Sequence, residues 1–360
     1  MSKQDPSSPK ERSSPFFLLL LAIAVPVLLV TLLVYVWEVY KPMHETQESA
    51  GATLQQMIGL STPVIGGNKL SPEYTDADGD LVADAPTDPA RQIDPPKLIF
   101  SYIAEEDSDK SLEAWKPFVE HLSTVTGKPV EIWSIRETST QLLVVHSGEL
   151  HVTGFNSGAV PTAVDAAGFV PVCLIPGSNG LGRTSSSFVV PAGSPMKSVA
   201  DIRGHEITYT YPTSNSGFKA PILTLLEKFD LRPGKDYNIV YSQGHEQSIM
   251  RLAKKQCEVA AVASDMLSRA TAAGEISAKD CRVLYETEQF PTASIGYAHN
   301  LKPELAAKIR EAVLTFDWKG TALEKTLASS RTTFVPANYK NDFSLLRRID
   351  DITGTKHELK

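Results

Sequence analysis

The sequence lacks a basic excess, paired cysteines and any internal repeat. It has 35 lysines and arginines against 42 aspartates and glutamates, for a net charge of -7. Nucleic-acid-binding domains usually carry a basic face, so this balance argues against nucleic acid as a partner. Cys173, Cys257 and Cys281 form no C-x-x-C pair, which leaves a zinc or thioredoxin-type site unsupported. We interpret the cysteines as small buried hydrophobic residues, with a Cys257–Cys281 disulfide left open.

Charge is also missing from one long stretch near the start of the chain. Residues 15–37 carry no charged side chain, and as a helix they would span roughly 34 Å, against about 30 Å of hydrocarbon. The stretch is longer than the apolar part of a signal peptide and has no small-residue cleavage site. We therefore predict an uncleaved transmembrane helix over residues 15–39. Three basic residues precede it: Lys3, Lys10 and Arg12.

The positions of these charges predict the orientation of the anchor. Positive residues are enriched on the cytoplasmic side of a membrane, so residues 1–14 are expected in the cytoplasm. The rest of the chain is then expected on the periplasmic side of the inner membrane, held there by a single pass.

Residues 40–96 are rich in small, polar and acidic residues, which is typical of a linker. Within them, carboxylates alternate along one short stretch in a pattern that suits the many oxygen ligands of calcium. The stretch departs from an EF-hand, since Leu81 replaces the glycine of the loop, and is closer to the Asp-rich calcium loops of thrombospondin type 3 repeats. A solvated acidic linker is the alternative. The expected metal ligands are Asp76, Asp78, Asp80, Asp84 and Asp88.

From residue 97 onward, apolar stretches of strand length alternate with stretches of helical periodicity. This alternation predicts an α/β fold with a parallel-rich sheet. Its length suits two lobes, which we place at 97–190 with 287–335 and at 191–286, followed by a C-terminal tail or helix over 336–360. Ser194–Pro195 and Phe290–Pro291 are the expected crossing points between the lobes.

Polar residues follow several predicted strands just before a helix. Ser214, Asn215 and Ser216 form the richest group, and free N–H groups at a helix start bind anions readily. His245 follows another strand, as do Asn156 and Ser157. Since ligands of open α/β sheets bind at the carboxyl ends of strands, these turns predict one cleft. An ordinary helix cap or a structural histidine would explain each turn taken singly.

The segment from about Leu98 to Phe316 resembles the phosphonate, phosphite and phosphate substrate-binding proteins of ABC importers. Several motifs carry this resemblance in chain order: Gly148-Glu149-Leu150-His151-Val152, Val199-Ala200-Asp201-Ile202-Arg203-Gly204 after Ser194-Pro195, Ser214-Asn215-Ser216-Gly217, Gly244-His245-Glu246 and Val259-Ala260-Ala261-Val262. The resemblance implies a two-lobed periplasmic binding protein fold, type II-like, with two crossing strands as the hinge.

The resemblance also implies roles for individual residues. Ser214, Asn215 and Ser216 match the loop that grips the phosphorus oxygens, His245 matches the ligand histidine, and Asp265 matches an acidic cleft residue. Three positions depart from members that bind aminoalkylphosphonates. Thr138 and Val160 replace tyrosines, and Ala293 replaces a second acidic residue. These departures favour an inorganic phosphate or phosphite over an aminophosphonate.

We therefore expect a membrane-anchored solute-binding protein that captures a small oxyanion for the permease and ATPase subunits of an ABC importer. No cofactor is required, apart from structural calcium in the linker. The alternative is an anchored sensor or scaffold with a vestigial cleft. An enzyme on the same fold is less well supported, since His245, Glu246 and Asp265 are the only candidate catalytic group.

Overall fold

A computed structural model describes Ala24 and residues 69–102, 112–177, 179–211, 214–327, 329–353 and 355–359. The chain divides into two compact units, Met1–Ala52 and Thr53–Lys360, and the strands and helices of both lobes belong to the second unit. Within the described ranges, no helix has both the length and the apolarity needed to cross a bilayer. The predicted anchor over residues 15–39 lies outside those ranges apart from Ala24.

The strands of the described chain alternate with helices. In chain order they are β1 (Leu98–Tyr102), β2 (Val130–Ile132), β3 (Val152–Asn156), β4 (Phe169–Leu174), β5 (Arg183–Thr184), β6 (Ser186–Pro191), β7 (Glu206–Tyr209), β8 (Asn238–Tyr241), β9 (Val259–Ala263), β10 (Cys281–Glu286), β11 (Phe290–Pro291), β12 (Ala293–Ala298) and β13 (Val335–Pro336).

The α-helices lie between these strands and after them. They are α1 (Lys116–Thr126), α2 (Thr138–His146), α3 (Val160–Ala167), α4 (Ala220–Phe229), α5 (His245–Ala253), α6 (Ser264–Ala272), α7 (Pro303–Thr315), α8 (Ala322–Leu327), α9 (Tyr339–Asp342) and α10 (Ser344–Thr353). A π-helical turn over Asn215–Lys219 precedes α4 directly.

Two separate sheets form the two lobes. The sheet of lobe 1 has the strand order β13-β4-β12-β3-β1-β2, and that of lobe 2 has the order β10-β6-β9-β7-β8. In each sheet the strands that feed the helices pair in parallel: β1 with β2 and β3, and β7 with β8 and β9. Buried strands such as Val259–Ala263 are apolar throughout, as expected when helices cover both faces of a sheet. The α/β, two-lobed prediction is confirmed.

The lobes are joined by a short two-stranded hinge. Residues Arg183–Thr184 pair antiparallel with Phe290–Pro291, so the return crossing lies where it was predicted. The outward crossing was wrongly placed at Ser194–Pro195, which follows β6 inside lobe 2. Because β6 pairs with β9 and β10, the lobe boundary falls before Ser186 and not after residue 190. Strand β6 follows β5 after one residue, Ser185, so no turn residues in the sequence mark this change of sheet.

The described part of the predicted linker, residues 69–96, packs against lobe 1. Val82 and Ala83 are buried at 8% and 5% exposure. The N–H of Ser71 donates to the carbonyl of Asp165 at 2.8 Å, and the ring of Tyr74 meets that of His299 edge-on at 4.7 Å. The prediction of a linker is therefore wrong for these residues. Their few apolar side chains are too widely spaced in the sequence to show a helix or strand periodicity.

Candidate ligand-binding cleft

Backbone hydrogen bonds give the polar turn after β7 a π-helical geometry. The N–H of Lys219 donates to the carbonyl of Ser214 at 3.0 Å, and that of Ala220 donates to Asn215. Both bonds skip one residue more than an α-helix does, so the first turn is wide. Ser214 caps it, since its Oγ accepts from the N–H of Gly217 at 2.9 Å. The hydroxyl hydrogen of Ser214 remains available to a ligand.

Gly217 is required by the close approach of this turn to β7. A Cβ added to Gly217 would lie 1.9 Å from Oγ1 of Thr210, and Thr210 is fully buried. Thr210 also donates its N–H to the carbonyl of Gly217 at 3.0 Å. The glycine thus lets the turn sit directly against the end of the strand, with Ser214, Asn215 and Ser216 half-buried at its opening.

His245 joins this turn from the start of α5. Its Nδ1 accepts the N–H of Ala263 at 3.2 Å, so a neutral ring carries its hydrogen on Nε2. That nitrogen lies 3.1 Å from Oγ of Ser216 and donates to it, which leaves the Ser216 hydroxyl hydrogen for a further acceptor. Burial is the main cause that lowers the pKa of His245, with Asp265 opposing and Arg269 reinforcing the shift. The neutral, donating form is therefore favoured near neutral pH.

Lobe 1 faces the turn with the residues that follow β3. The N–H of Ser157 donates to the carbonyl of Thr292 beside the hinge at 3.0 Å. A Cβ added to Gly158 would lie 3.4 Å from Nδ2 of Asn215 and 3.9 Å from Oδ1 of Asn156. The predicted groups from the two lobes therefore meet across one cleft.

Asp265 lies at the hinge end of this cleft, in the first turn of α6. Its Oδ1 accepts from Oγ1 of Thr184 at 2.8 Å, and its Oδ2 is 3.7 Å from the exposed guanidinium of Arg269. A cavity of about 260 Å³ opens beside it. Its lining includes Thr184, Ser185, Ser264, Asp265, Glu286 and Gln289.

Glu286 is a cleft residue that sequence reasoning missed. It ends β10, and its Oε2 lies 3.4 Å from Oγ of Ser185, which in turn lies 2.6 Å from Oγ of Ser264. Glu286 therefore supplies a second carboxylate to the cavity that Asp265 lines. Its position before the return crossing was the available signal, but only the pairing of β10 with β6 shows that it faces this cavity.

Thr138 stands apart from these groups. It is the half-buried first residue of α2. Among the residues that the structure describes, no hydrogen bond joins it to the turn or to His245. Val160 is fully buried in the core of lobe 1, and Ala293 pairs with Asn156 at the end of β3.

The Asp-rich loop folds into successive tight turns outside the cleft. Asp76 accepts from the N–H groups of Asp80 and Leu81 at 3.0 and 3.1 Å. Carboxylate oxygens of Asp76, Asp78 and Asp80 lie within 4.8 Å of one another. Asp84 instead accepts from the N–H of Ala77 at 2.8 Å, and Asp88 caps the short helix Pro89–Arg91. These two do not join the group of three.

Comparison with known proteins assigns the chain to a family. A family model described as "ABC transporter, phosphonate, periplasmic substrate-binding protein" matches residues 100–343. The chain belongs to this family. Members of this phosphonate-binding family are substrate-binding components of transporters and not enzymes, which confirms the non-enzymatic prediction. The family is periplasmic, so the two lobes are extracytoplasmic.

Individual relatives of the chain are distant. The phosphonates-binding periplasmic protein of Escherichia coli (strain K12) is 21% identical over 253 residues, which cover 69% of this chain and 74% of that protein. Structures of XAC2383 from Xanthomonas citri, bound to ATP and to chloride ion, have TM-scores of 0.55 and 0.56. Both are 17% identical and cover 71% of this chain and 99% of theirs. They show a shared fold.

Proposed function

We propose that this phosphonate-family protein captures a tetrahedral phosphorus oxyanion between its lobes and delivers it to the permease and ATPase subunits of an ABC importer. The observation that carries the proposal is the contact between His245 and Ser216 at 3.1 Å, in a turn that faces Asn156–Gly158 of the other lobe. This contact fixes which atoms donate. Hydroxyl groups of Ser214 and Ser216 and the amide of Asn215 supply neutral donors to an anion. The Nε2–H of His245, which donates to Ser216, turns to the anion when the anion binds.

The hinge end of the cleft narrows the choice of anion. Asp265 and Glu286 accept hydrogen bonds and repel a fully ionised ligand, so the ligand needs a proton to present to them. Phosphate keeps such a proton in both of the forms it takes near neutral pH, and phosphite keeps one as its monoanion, whereas sulfate carries none. These two anions are our first candidates.

A phosphonate with an ammonium group is the second candidate, and Glu286 favours it. Sequence comparison had found no second acidic residue, because Ala293 occupies the expected position. Glu286 supplies that carboxylate from β10, at 3.4 Å from Ser185 in the wall of the same cavity. An ammonium donor between Asp265 and Glu286 would satisfy both carboxylates.

Equilibrium titration of the full chain in detergent tests the proposal. The panel is phosphate, phosphite, methylphosphonate, 2-aminoethylphosphonate, sulfate and ATP, the last because XAC2383 from Xanthomonas citri binds it. We expect phosphate or phosphite to bind, and sulfate to bind more weakly. Tightest binding of 2-aminoethylphosphonate would select the second candidate. A chain that binds no member of the panel would contradict the proposed function and favour a scaffold with a vestigial cleft.

We also propose that residues 15–39 anchor the protein in the inner membrane, since the family is periplasmic and the uncharged run has membrane-spanning length. Extraction of native membranes at alkaline pH, followed by N-terminal sequencing, tests this. The intact chain is expected in the membrane pellet. Release of a chain that begins after residue 40 would contradict the anchor.

The Asp-rich loop is proposed as a calcium site built on Asp76, Asp78 and Asp80. Its support is the convergence of their oxygens within 4.8 Å and the preference of calcium for several carboxylate ligands. Burial, helped by the neighbouring carboxylates of Asp78, Asp76 and Asp84, raises the pKa of Asp80 against the opposing hydrogen bond from Val82. A cation would relieve this crowding of negative charge.

A further inference from the structure

The C-terminal helices contact the hinge at β5 and just before β11. Asp342 in α9 accepts from Nη2 of Arg183 in β5 at 2.6 Å, and Asp342 is only 11% exposed. Arg348 in α10 donates to Glu288, just before β11, at 3.0 Å. These contacts place charged groups of the C-terminal segment at β5 and at the approach to β11, the two strands about which the lobes would rotate.

The same helices pack into the core that the lobes share. Helix α10 lies against α4 of lobe 2, and Arg348 reaches Glu227 of that helix at 3.9 Å. One continuous apolar cluster contains Phe343 and Ile349 of the C-terminal segment, Val164 of lobe 1 and Phe218 of lobe 2. The segment is therefore a packed bridge between the lobes, and of the two predicted forms, tail or helix, it takes the helical one.

His357 closes this bridge on lobe 1. Its Nδ1 lies 2.6 Å from Oδ2 of Asp165 in α3, and its Nε2 lies 3.1 Å from Oδ2 of Asp350 in α10. The His357 side chain is 2% exposed, and the two carboxylates are 6% and 9% exposed. Both ring nitrogens face acceptors, so the ring must carry two hydrogens and a positive charge to satisfy them. Without that charge, two buried carboxylates would lose their shared counterion.

The charge of Asp350 also acts on the last residue of the ligand turn. Lys219 is the last residue of the π-helical turn that carries Ser214–Ser216. Burial is the main cause that lowers the pKa of Lys219, and the charge of Asp350 opposes it. The carboxylate that His357 holds is thus electrostatically coupled to the base of the turn in lobe 2.

We infer that residues 339–353 and 355–359 form a strap that limits opening of the two lobes, and that His357 is its latch, joining Asp165 of lobe 1 to Asp350 of the strap. No residue of the strap belongs to the ligand site described above. Release of the latch frees lobe 1 from α10 and lets the hinge open further. The inference concerns lobe movement and does not depend on which anion the cleft binds.

The latch is expected to respond to alkaline pH. Hydrogen bonds and charge from Asp165 and Asp350 outweigh burial and raise the pKa of His357 to about 9. A raised histidine pKa means that the latch is fully formed below the unfolded value of about 6.5 and is lost as pH rises through about 9. Among the described residues, Lys219 is coupled by charge to Asp350, and Tyr339 is coupled to Asp165, Asp350 and Arg347.

Distances between two spin labels on the ligand-free full chain test the strap. Exposed Glu120 in lobe 1 and Lys254 in lobe 2 are replaced by cysteine (Glu120→Cys, Lys254→Cys), with Cys257→Ser to remove the half-buried native thiol. Near neutral pH we expect one short-distance population in the otherwise unchanged chain. His357→Gln and Asp350→Asn should each add a longer-distance population. The control Lys356→Gln removes a neighbouring, exposed charge and should add none.

A pH series on the chain with native His357 gives a second test that needs no latch mutation. The longer-distance population should appear as the pH rises through about 9, and His357→Gln should show no further change over that range. Identical distributions for His357→Gln and native His357 near neutral pH would overturn the inference. If His357→Gln fails to fold, an unchanged distribution in the native, folded chain across the pH series would overturn it.

Discussion

The two ends of the cleft differ in the hydrogen-bonding groups they present. The turn after β7 offers donors: two serine hydroxyls, one amide and the Nε2–H of His245. The hinge cavity offers two carboxylates, Asp265 and Glu286. A ligand that suits both ends must be an anion on one side and a proton donor on the other. The net charge of the chain is -7, yet one end of the cleft is suited to an anion. Local groups, and not the net charge, therefore decide what the cleft binds.

Removing a donor should produce the largest change. In Ser216→Ala the hydroxyl that His245 orients is lost, and the bond of a neutral donor to a charged ligand contributes about 1.5–3 kcal/mol. Affinity for phosphate should fall roughly ten- to a hundredfold by calorimetric titration. Thr271→Ala is the control, because its exposed hydroxyl bonds only within α6, to Leu267. Equal affinity of Ser216→Ala and the native chain would remove the turn from the ligand site.

Neutralising the hinge end should change selectivity by a smaller factor. Asp265→Asn removes the negative charge that favours a protonated ligand. The ratio of sulfate affinity to phosphate affinity should therefore rise about tenfold, which corresponds to about 1.4 kcal/mol. For the native chain, phosphite affinity should weaken as the pH rises above the second ionisation of phosphate-like groups, near 6–7, because the phosphite dianion has no O–H left, whereas the phosphate dianion keeps one. Titration of sulfate, phosphate and phosphite across this range measures both effects.

A matched change in the same helix controls for the loss of charge. Thr271→Ala keeps both carboxylates and alters an exposed hydroxyl that bonds to the carbonyl of Leu267, outside the lining of the cavity. It should leave the sulfate-to-phosphate ratio unchanged. If Asp265→Asn also leaves that ratio unchanged, the acidic end does not contact the ligand and the proposed contrast within the cleft is wrong.

Calcium binding to the Asp-rich loop should produce the smallest of the predicted effects, a change in melting temperature. Its three carboxylates, Asp76, Asp78 and Asp80, converge within 4.8 Å of one another at the protein surface, away from the cleft. Saturating calcium should raise the melting temperature by a few degrees through binding to the folded state. Asp78→Asn combined with Asp80→Asn should abolish this rise, whereas Asp230→Asn, an exposed carboxylate elsewhere, should retain it. No rise in the native chain would contradict the site.

Local patterns in the sequence predicted much of the cleft. The alternation of strands and helices gave the two-lobed fold, and the polar turns at Ser214 and His245 meet as expected. Each of these signals is contained in a short stretch of chain, where periodicity and a polar cluster can be read directly.

Features that depend on distant pairing could not be predicted in this way. The hinge lies at Arg183–Thr184 because of its partner at Phe290–Pro291, and nothing near Arg183 marks it. Glu286 belongs to the cleft only through the pairing of β10 with β6. His357 meets Asp165, far away in the chain, only after the C-terminal segment has packed. Tertiary contacts bring these three features into place, and the local periodicity of the sequence does not predict such contacts.

The structure of the full chain bound to phosphate tests the central claim most directly. We predict phosphate oxygens within about 2.7–3.2 Å of Ser216 Oγ and His245 Nε2, with a protonated oxygen directed to Asp265. A phosphate bound outside the cleft, or one in the cleft that contacts neither Ser216 nor His245, would contradict the account.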